Sequence, residues 1–415
     1  MRLNLATTTA LSTLLVQLTS AQHQSQSQSQ SQSQSQSQSQ TAYFSEFGVL
    51  EFDNFGFEGY YRNVKTLDTS SSCQCELAAN AQRTIFKGVN APLNEEVSVH
   101  FRGPLILKQY GYYTTSSTFH VNDSSSAASV SWDRGAYYNG ADQTAENVTF
   151  LTHAGDGSSC LGKAITYADS DGISSASSKT TLANDTLISS DEEFIIFSNI
   201  SCAASGFSND CGVYRDGIPA FKGFSGDTKM FLFEFEMPKE TQTNSSSFEF
   251  YDMPAIWLLN ARIPRTSQYP TNENCSCWAT GCGEFDIFEV MNGTESNHFY
   301  STIHDYQGTG EIGTGLQAPG YIERNLYASM KGGVVFDSEG SVSVFLSNST
   351  TFDDITGTDV LSWISTASSD EGKATRTLVS ATNTGSGKIS SASQVNINTY
   401  LMFGMCLIAA LFTLA

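Results

Sequence analysis

A chain of 415 residues with 42 acidic and 21 basic side chains carries a net charge of −21. It has no basic run to neutralise phosphates, which argues against nucleic acid as a partner. A composition that is 40% hydrophobic and 12% aromatic supplies the core for one large domain or two modest ones.

In chain order, residues 1–21 read as a secretory signal. Arg2 supplies the positive start, residues 10–18 a modestly apolar core and Thr19-x-Ala21 a small-residue cleavage site. Residues 22–42 read as a spacer, because the Ser-Gln alternation over 24–40 has no apolar side chain to set against its ordering entropy.

The body of the chain divides into residues 43–155 and residues 156–380, and both read as β. In the first part, apolar runs at 97–101, 105–107 and 148–151 have strand length. In the second, Phe231, Phe233, Phe235 and Met237 alternate with Leu232, Glu234 and Glu236 before Pro238. Val342, Val344 and Leu346 alternate with Ser and Phe, and His298, Tyr300, Thr302 and His304 share one strand face opposite Phe299 and Ile303. No amphipathic helix longer than three turns is predicted. Many short strands punctuated by Gly and Ser predict an all-β sandwich. Residues 43–155 are expected to add strands to that sandwich, since the segments after residue 289 are too few to close two sheets without open edges. The alternative is a separate β-domain joined through residues 155–159.

Eight of the nine cysteines precede residue 400: Cys73, Cys75, Cys160, Cys202, Cys211, Cys275, Cys277 and Cys282. An even set in a secreted chain predicts disulfides whose pairing sequence leaves open. A zinc site in the Cys-x-Cys cluster is disfavoured in an oxidising compartment, so no metal or other cofactor is expected. Neighbours in a Cys-x-Cys do not easily pair with each other. Bridges are therefore expected to run outward from Cys275 and Cys277 or to Cys282, with Cys73 or Cys75 joining the later chain. Asn-x-Ser/Thr sites at Asn122, Asn147, Asn184, Asn199, Asn244, Asn274, Asn292 and Asn348 fit an extracellular glycoprotein.

The stretch from Cys275 to Glu289 carries the chemistry. Glu284, Asp286 and Glu289 put three carboxylates within six residues, directly after a cysteine-rich turn. A flat strand would place Phe288 among the acids and Glu289 among the hydrophobes. One extra residue near Ile287 and Phe288, a β-bulge, corrects both faults and gathers the three carboxylates on one face. Two glutamates so placed suit glycoside hydrolysis with retention, in which one carboxyl attacks the anomeric carbon and the other protonates the leaving oxygen. An aspartate between them can hydrogen-bond the first and repel the second, separating their pKa values. The bland reading is an acidic surface strand. Trp257 and Trp278 read either as sugar-stacking platforms or as core residues, and His304 either as a partner of the carboxylates or substrate or as a structural histidine.

After a Ser-rich spacer over 381–399, residues 400–415 are nearly all apolar and end the chain without a charge. Sixteen residues fall short of the ~20 that span a bilayer as a helix. A short apolar tail behind a polar spacer and the small triplet Gly385-Ser386-Gly387 fits a glycosylphosphatidylinositol (GPI) attachment signal, with Gly385 as the attachment residue and Asn383 and Ser390 as competing sites.

The motif Glu284-Phe285-Asp286-Ile287-Phe288-Glu289 resembles the bulged signature of glycoside hydrolase family 16 1,3-β-glucanases. Met253-Pro254-Ala255-Ile256-Trp257 upstream and Ser301-Thr302-Ile303-His304 downstream resemble the flanking strands of that family. The run from about residue 202 to residue 304 is similar to the fungal cell-wall proteins described as probable circularly permuted 1,3-β-glucanases. The resemblance implies a concanavalin-like jelly roll, with Glu284 as nucleophile, Asp286 as its assistant and Glu289 as general acid/base. Its implied substrate is cell-wall β-glucan, either hydrolysed or transferred. The competing expectation is a GPI-linked structural or glucan-binding wall protein that does no catalysis.

Overall fold

A computed structural model describes residues 45–380 apart from Ser71 and Ser126. The expected signal, Ser-Gln spacer, C-terminal spacer and tail, with Gly385, lie outside the described residues.

The apolar alternation read from sequence builds two large sheets. The first runs, in spatial order, Lys373–Thr377, Val49–Asp53, Val342–Leu346, Met330–Phe336, Lys229–Glu236, Leu105–Thr114, Asp133–Asn139 and Thr144–Glu146. The second runs Ser175–Ala176, Thr166–Ala168, Thr149–Thr152, Glu193–Phe197, Val97–Arg102, Ala255–Asn260, Glu284–Glu289, His298–His304 and Leu316–Gln317. Neighbours along both paths are antiparallel except Val49–Asp53 and Lys373–Thr377, which run parallel. Strands from both parts of the chain share each sheet. Val97–Arg102 lies between Glu193–Phe197 and Ala255–Asn260, and Leu105–Thr114 pairs with Lys229–Glu236 along its length.

One apolar core fills the space between the sheets. Phe231, Phe233, Phe235 and Met237 enter it from the first sheet, and Val99, Phe101, Ile256, Leu258 and Phe285 enter it from the second. Phe285 meets Phe52 edge-on with ring centroids 5.6 Å apart, a geometry that aligns ring edge with ring face. The architecture is an all-β sandwich, as the alternation predicts.

The helix expectation needs correction. Gly357–Glu371 is a 15-residue α-helix, about four turns. It packs Val360, Trp363 and Ile364 onto Val49, Met230, Leu232 and Phe345, on the outer side of the first sheet. Its signal was weak in sequence because only this narrow stripe is apolar while Ser, Thr and Asp fill the remaining turns. The capping box compensates for that composition. Thr356 Oγ1 accepts from Asp359 N, and Asp359 accepts in return from Thr356 N. Among the described residues, no helix is long and apolar enough to cross a membrane.

Candidate active site

The site begins in the turn ahead of the acidic strand. Gly281 and Gly283 adopt φ values of +90° and +105°, which a side chain at either position would strain. A Cβ on Gly281 would lie 2.5 Å from the Tyr306 ring, and one on Gly283 would lie 2.9 Å from Pro92. Cys277–Cys282 closes this turn, and Cys75–Cys275 ties it to the earlier chain. The third bridge, Cys202–Cys211, lies elsewhere. Cys73 and Cys160 are unbridged in the structure, so three pairs of the eight cysteines are joined.

Within Glu284–Glu289 the register breaks between Asp286 and Glu289 against His298–His304, and at the matching position against Ala255–Asn260. The extra residue lets Ile287 and Phe288 both enter the core, each fully buried. The bulge bends the ladder, and the buried Ser301 hydroxyl donates to Ile287 O at 2.7 Å, satisfying a carbonyl there. Glu284, Asp286 and Glu289 share the opposite face. Across the ladder, Glu284 sits beside Leu259 and His304, Asp286 beside Trp257 and Thr302, and Glu289 beside Ala255 and Tyr300.

Each carboxylate has its own partner. Trp278 Nε1 donates to Glu284 Oε2. His304 Nε2 lies 3.0 Å from Asp286 Oδ2, while its Nδ1 lies 2.6 Å from the carbonyl of Ile312. A carbonyl and a carboxylate only accept, so both ring nitrogens donate and the imidazole is charged. Burial opposes that charge, but the hydrogen bond to Asp286 and the charges of Asp286 and Glu284 outweigh it and push the ring up to about 10. Arg102 reaches Glu289 Oε1 at 3.3 Å. Its Nε donates to Met253 O at 2.8 Å, and its guanidinium stacks 4.4 Å over the Phe250 ring.

Burial first, and then the charge of Asp286, push Glu284 up to about 8 and Glu289 up to about 7. His304 and the Trp278 bond act against the rise at Glu284, as Arg102 and His304 do at Glu289. Near neutral pH the two glutamates therefore hold protons that free carboxyls would have lost. Such a pair can hold one carboxyl as an acid while the other is ionised.

The tryptophans separate. Trp278 is half-buried beside Glu284, its ring tilted against His304. Trp257 is only 4% exposed, its ring stacked on His100 with centroids 5.0 Å apart. On the ladder it stands opposite Asp286, so of its two readings its burial fits the core one. Of the two readings of His304, the structure shows the contact with the carboxylate. Asn122, Asn184, Asn199, Asn244, Asn274 and Asn348 are exposed, whereas Asn147 and Asn292 are partly buried. The Asn292 side chain accepts from Thr294 N and Glu295 N, so it caps a local turn.

Sequence reasoning missed Arg102 and His100. Both lie on Val97–Arg102, separated from Glu284–Glu289 by Ala255–Asn260. Val97, Val99 and Phe101 enter the core, Ser98, His100 and Arg102 take the other face, and Arg102 reaches across to Glu289. That alternation of polar and apolar residues was the available signal. Glu193, the ladder neighbour of Arg102, extends the same face and accepts a hydrogen bond from Tyr269 at 3.0 Å.

Residues 49–115 match the family described as "Cell wall protein YJL171C/Tos1, N-terminal", and residues 130–363 match its C-terminal counterpart. A Candida albicans protein named "Probable circularly permuted 1,3-beta-glucanase PGA52" is 57% identical over 333 residues, covering 80% of this chain and 85% of its own. The Saccharomyces cerevisiae protein named "Probable circularly permuted 1,3-beta-glucanase YJL171C" is 58% identical over 315 residues, 75% of this chain and 78% of its own. A second Saccharomyces cerevisiae protein, "Probable circularly permuted 1,3-beta-glucanase TOS1", is 32% identical over 440 residues, 79% of this chain and 92% of its own. No solved structure matches.

Proposed function

The chain belongs to the YJL171C/Tos1 family of cell wall proteins, and on that premise we propose that it cleaves or remodels β-1,3-glucan with retention of anomeric configuration. The observation that carries the reading is the gathering of Glu284, Asp286 and Glu289 on one face by the bulge at Ile287 and Phe288. The names of the relatives supply the substrate class. Glu284, in its ionised form, attacks the anomeric carbon while Glu289 gives its proton to the leaving oxygen, leaving a glycosyl ester on Glu284. Because Glu284 holds its proton to the higher pH in the free site, bound substrate must shift the shared proton onto Glu289. Glu289, now a carboxylate, takes a proton from water or from an acceptor sugar hydroxyl, and the ester is released to that oxygen. Trp278 and charged His304 hold the Glu284–Asp286 side of the site in place. A strand of the N-terminal part, Val97–Arg102, supplies Arg102, in keeping with a permuted chain order.

Secreted protein is expected to shorten or extend laminarin oligosaccharides, with products read by mass spectrometry in the presence of an acceptor. Glu284→Gln abolishes this turnover; full activity in that variant contradicts the assignment. We place the protein at the cell wall or the outer face of the plasma membrane through a GPI anchor at Gly385, and release by a phosphatidylinositol-specific phospholipase C tests that anchor.

One observation favours a second reading, a glucan-binding wall protein without turnover. Arg102 at 3.3 Å favours an ionised Glu289, whereas an acid catalyst needs the proton. Laminarin binding that survives in Glu284→Gln, with no products from the parent protein, is the signature of that reading.

A further inference from the structure

Cys73 and Cys160 carry the free thiols among the described residues, and the same knot of chain holds both. Cys160 is buried, and its Sγ lies within 4.8 Å of the sulfurs of Cys75 and Cys275, which are bridged to each other. Its thiol donates to Asp68 O at 3.3 Å. Cys73 Sγ lies 3.0 Å from the hydroxyl of Ser159, the residue before Cys160, and packs on the small cluster of Cys75, Cys160, Leu161 and Cys275. The segment that leads into the site closes the knot: Asn272 Nδ2 donates to Cys73 O at 3.2 Å, and Thr271 N to Cys160 O at 3.0 Å. Burial pushes the Cys160 thiol up, and the neighbouring Cys73 adds to the rise.

We propose that Cys73 and Cys160 form a fourth disulfide, and that this bridge protects Cys75–Cys275 from exchange with the Cys160 thiol. Forming it removes two electrons and two protons from the thiols. The acceptor is a disulfide of the secretory pathway, protein-borne or low in molecular weight, which leaves as two thiols. Without the bridge, the Cys160 thiolate attacks the adjacent sulfur of Cys75 or Cys275, makes a new bond there and releases the other sulfur as a thiolate. That exchange needs no oxidant. It frees the tether of the turn that carries Trp278 toward Glu284. The inference rests on sulfur positions and not on the catalytic reading, so the two stand or fall separately.

The test is non-reducing peptide mapping of the full-length secreted chain, alkylated at low pH before digestion. The expected result is a Cys73–Cys160 linked peptide with neither residue alkylated. Recovery of both as alkylated thiols overturns the proposal. So does a bridge from Cys160 to Cys75 or Cys275 in the parent protein, or stoichiometric zinc held by four unpaired cysteines. The protective role is read from variants. Cys73→Ser is expected to give a mixture in which Cys160 is linked in part to Cys75 or Cys275, and Cys73→Ser/Cys160→Ser to give Cys75–Cys275 alone. A single homogeneous Cys75–Cys275 bridge in Cys73→Ser removes that role. The map of the parent protein decides the bridge itself even where a variant fails to fold.

Discussion

Glu284, Glu289 and His304 all bind their protons more tightly in the folded chain than in the unfolded one. Glu284 at about 8 and Glu289 at about 7 stand above the unfolded 4.5, and His304 at about 10 stands above 6.5. A raised value contributes stability that is complete below the unfolded pKa and is lost as pH rises through the folded one. All three groups thus act in the same direction, Glu289 up to about pH 7, Glu284 up to about pH 8 and His304 from 6.5 up to about 10. Calorimetry from about pH 6 to 9 should show the unfolding temperature falling with pH and, below about pH 8, falling less steeply in Glu284→Gln. A temperature that rises with pH in the parent protein, or an unchanged slope in the variant, contradicts these electrostatics. The three carboxylates were legible in sequence because acids so spaced among apolar residues are costly unless they share a face. Arg102 was not, because a lone arginine closing an apolar strand looks the same whether it meets solvent or Glu289 on a strand more than 180 residues away.

At the scale of the element, the bulge is the feature that sequence resolved best. Two patterns asked for it independently, since the apolar side needs Ile287 and Phe288 together and the acidic side needs Glu289 outward. What sequence did not show is how the disturbed ladder is satisfied. Ser301 faces inward among hydrophobes and donates to Ile287 O at 2.7 Å. Ser301→Ala leaves that buried carbonyl without this donor, a loss of roughly 1–3 kcal/mol. Urea unfolding should show the lower midpoint at an unchanged slope, and a change within about 0.5 kcal/mol, the range of an indifferent substitution, argues that the carbonyl is satisfied otherwise. The Gly357–Glu371 helix is the opposite case. A stripe of Val360, Trp363 and Ile364 in a Ser- and Thr-rich segment is too narrow for a periodicity reading. It forms because the outer side of the first sheet offers it an apolar surface.

For the whole molecule, alternation announced a sandwich but not the order of its strands. Val97–Arg102 carries no mark in its own residues that its neighbours are Glu193–Phe197 and Ala255–Asn260. Pairing over such separations is set by which apolar faces fit together, and composition does not reveal that. That placement lets Arg102 reach Glu289 across Ala255–Asn260, so the N-terminal part of the chain contributes to the site as well as to the core. The claim that unites these scales is that Glu284 and Glu289 act as a nucleophile and acid/base pair in a double displacement. Proton NMR of the first products released from laminarin, recorded before the sugar mutarotates, tests it most directly. The account predicts the β-anomer as the first-formed reducing end, whereas an α-anomer, or no product from correctly folded protein, contradicts it.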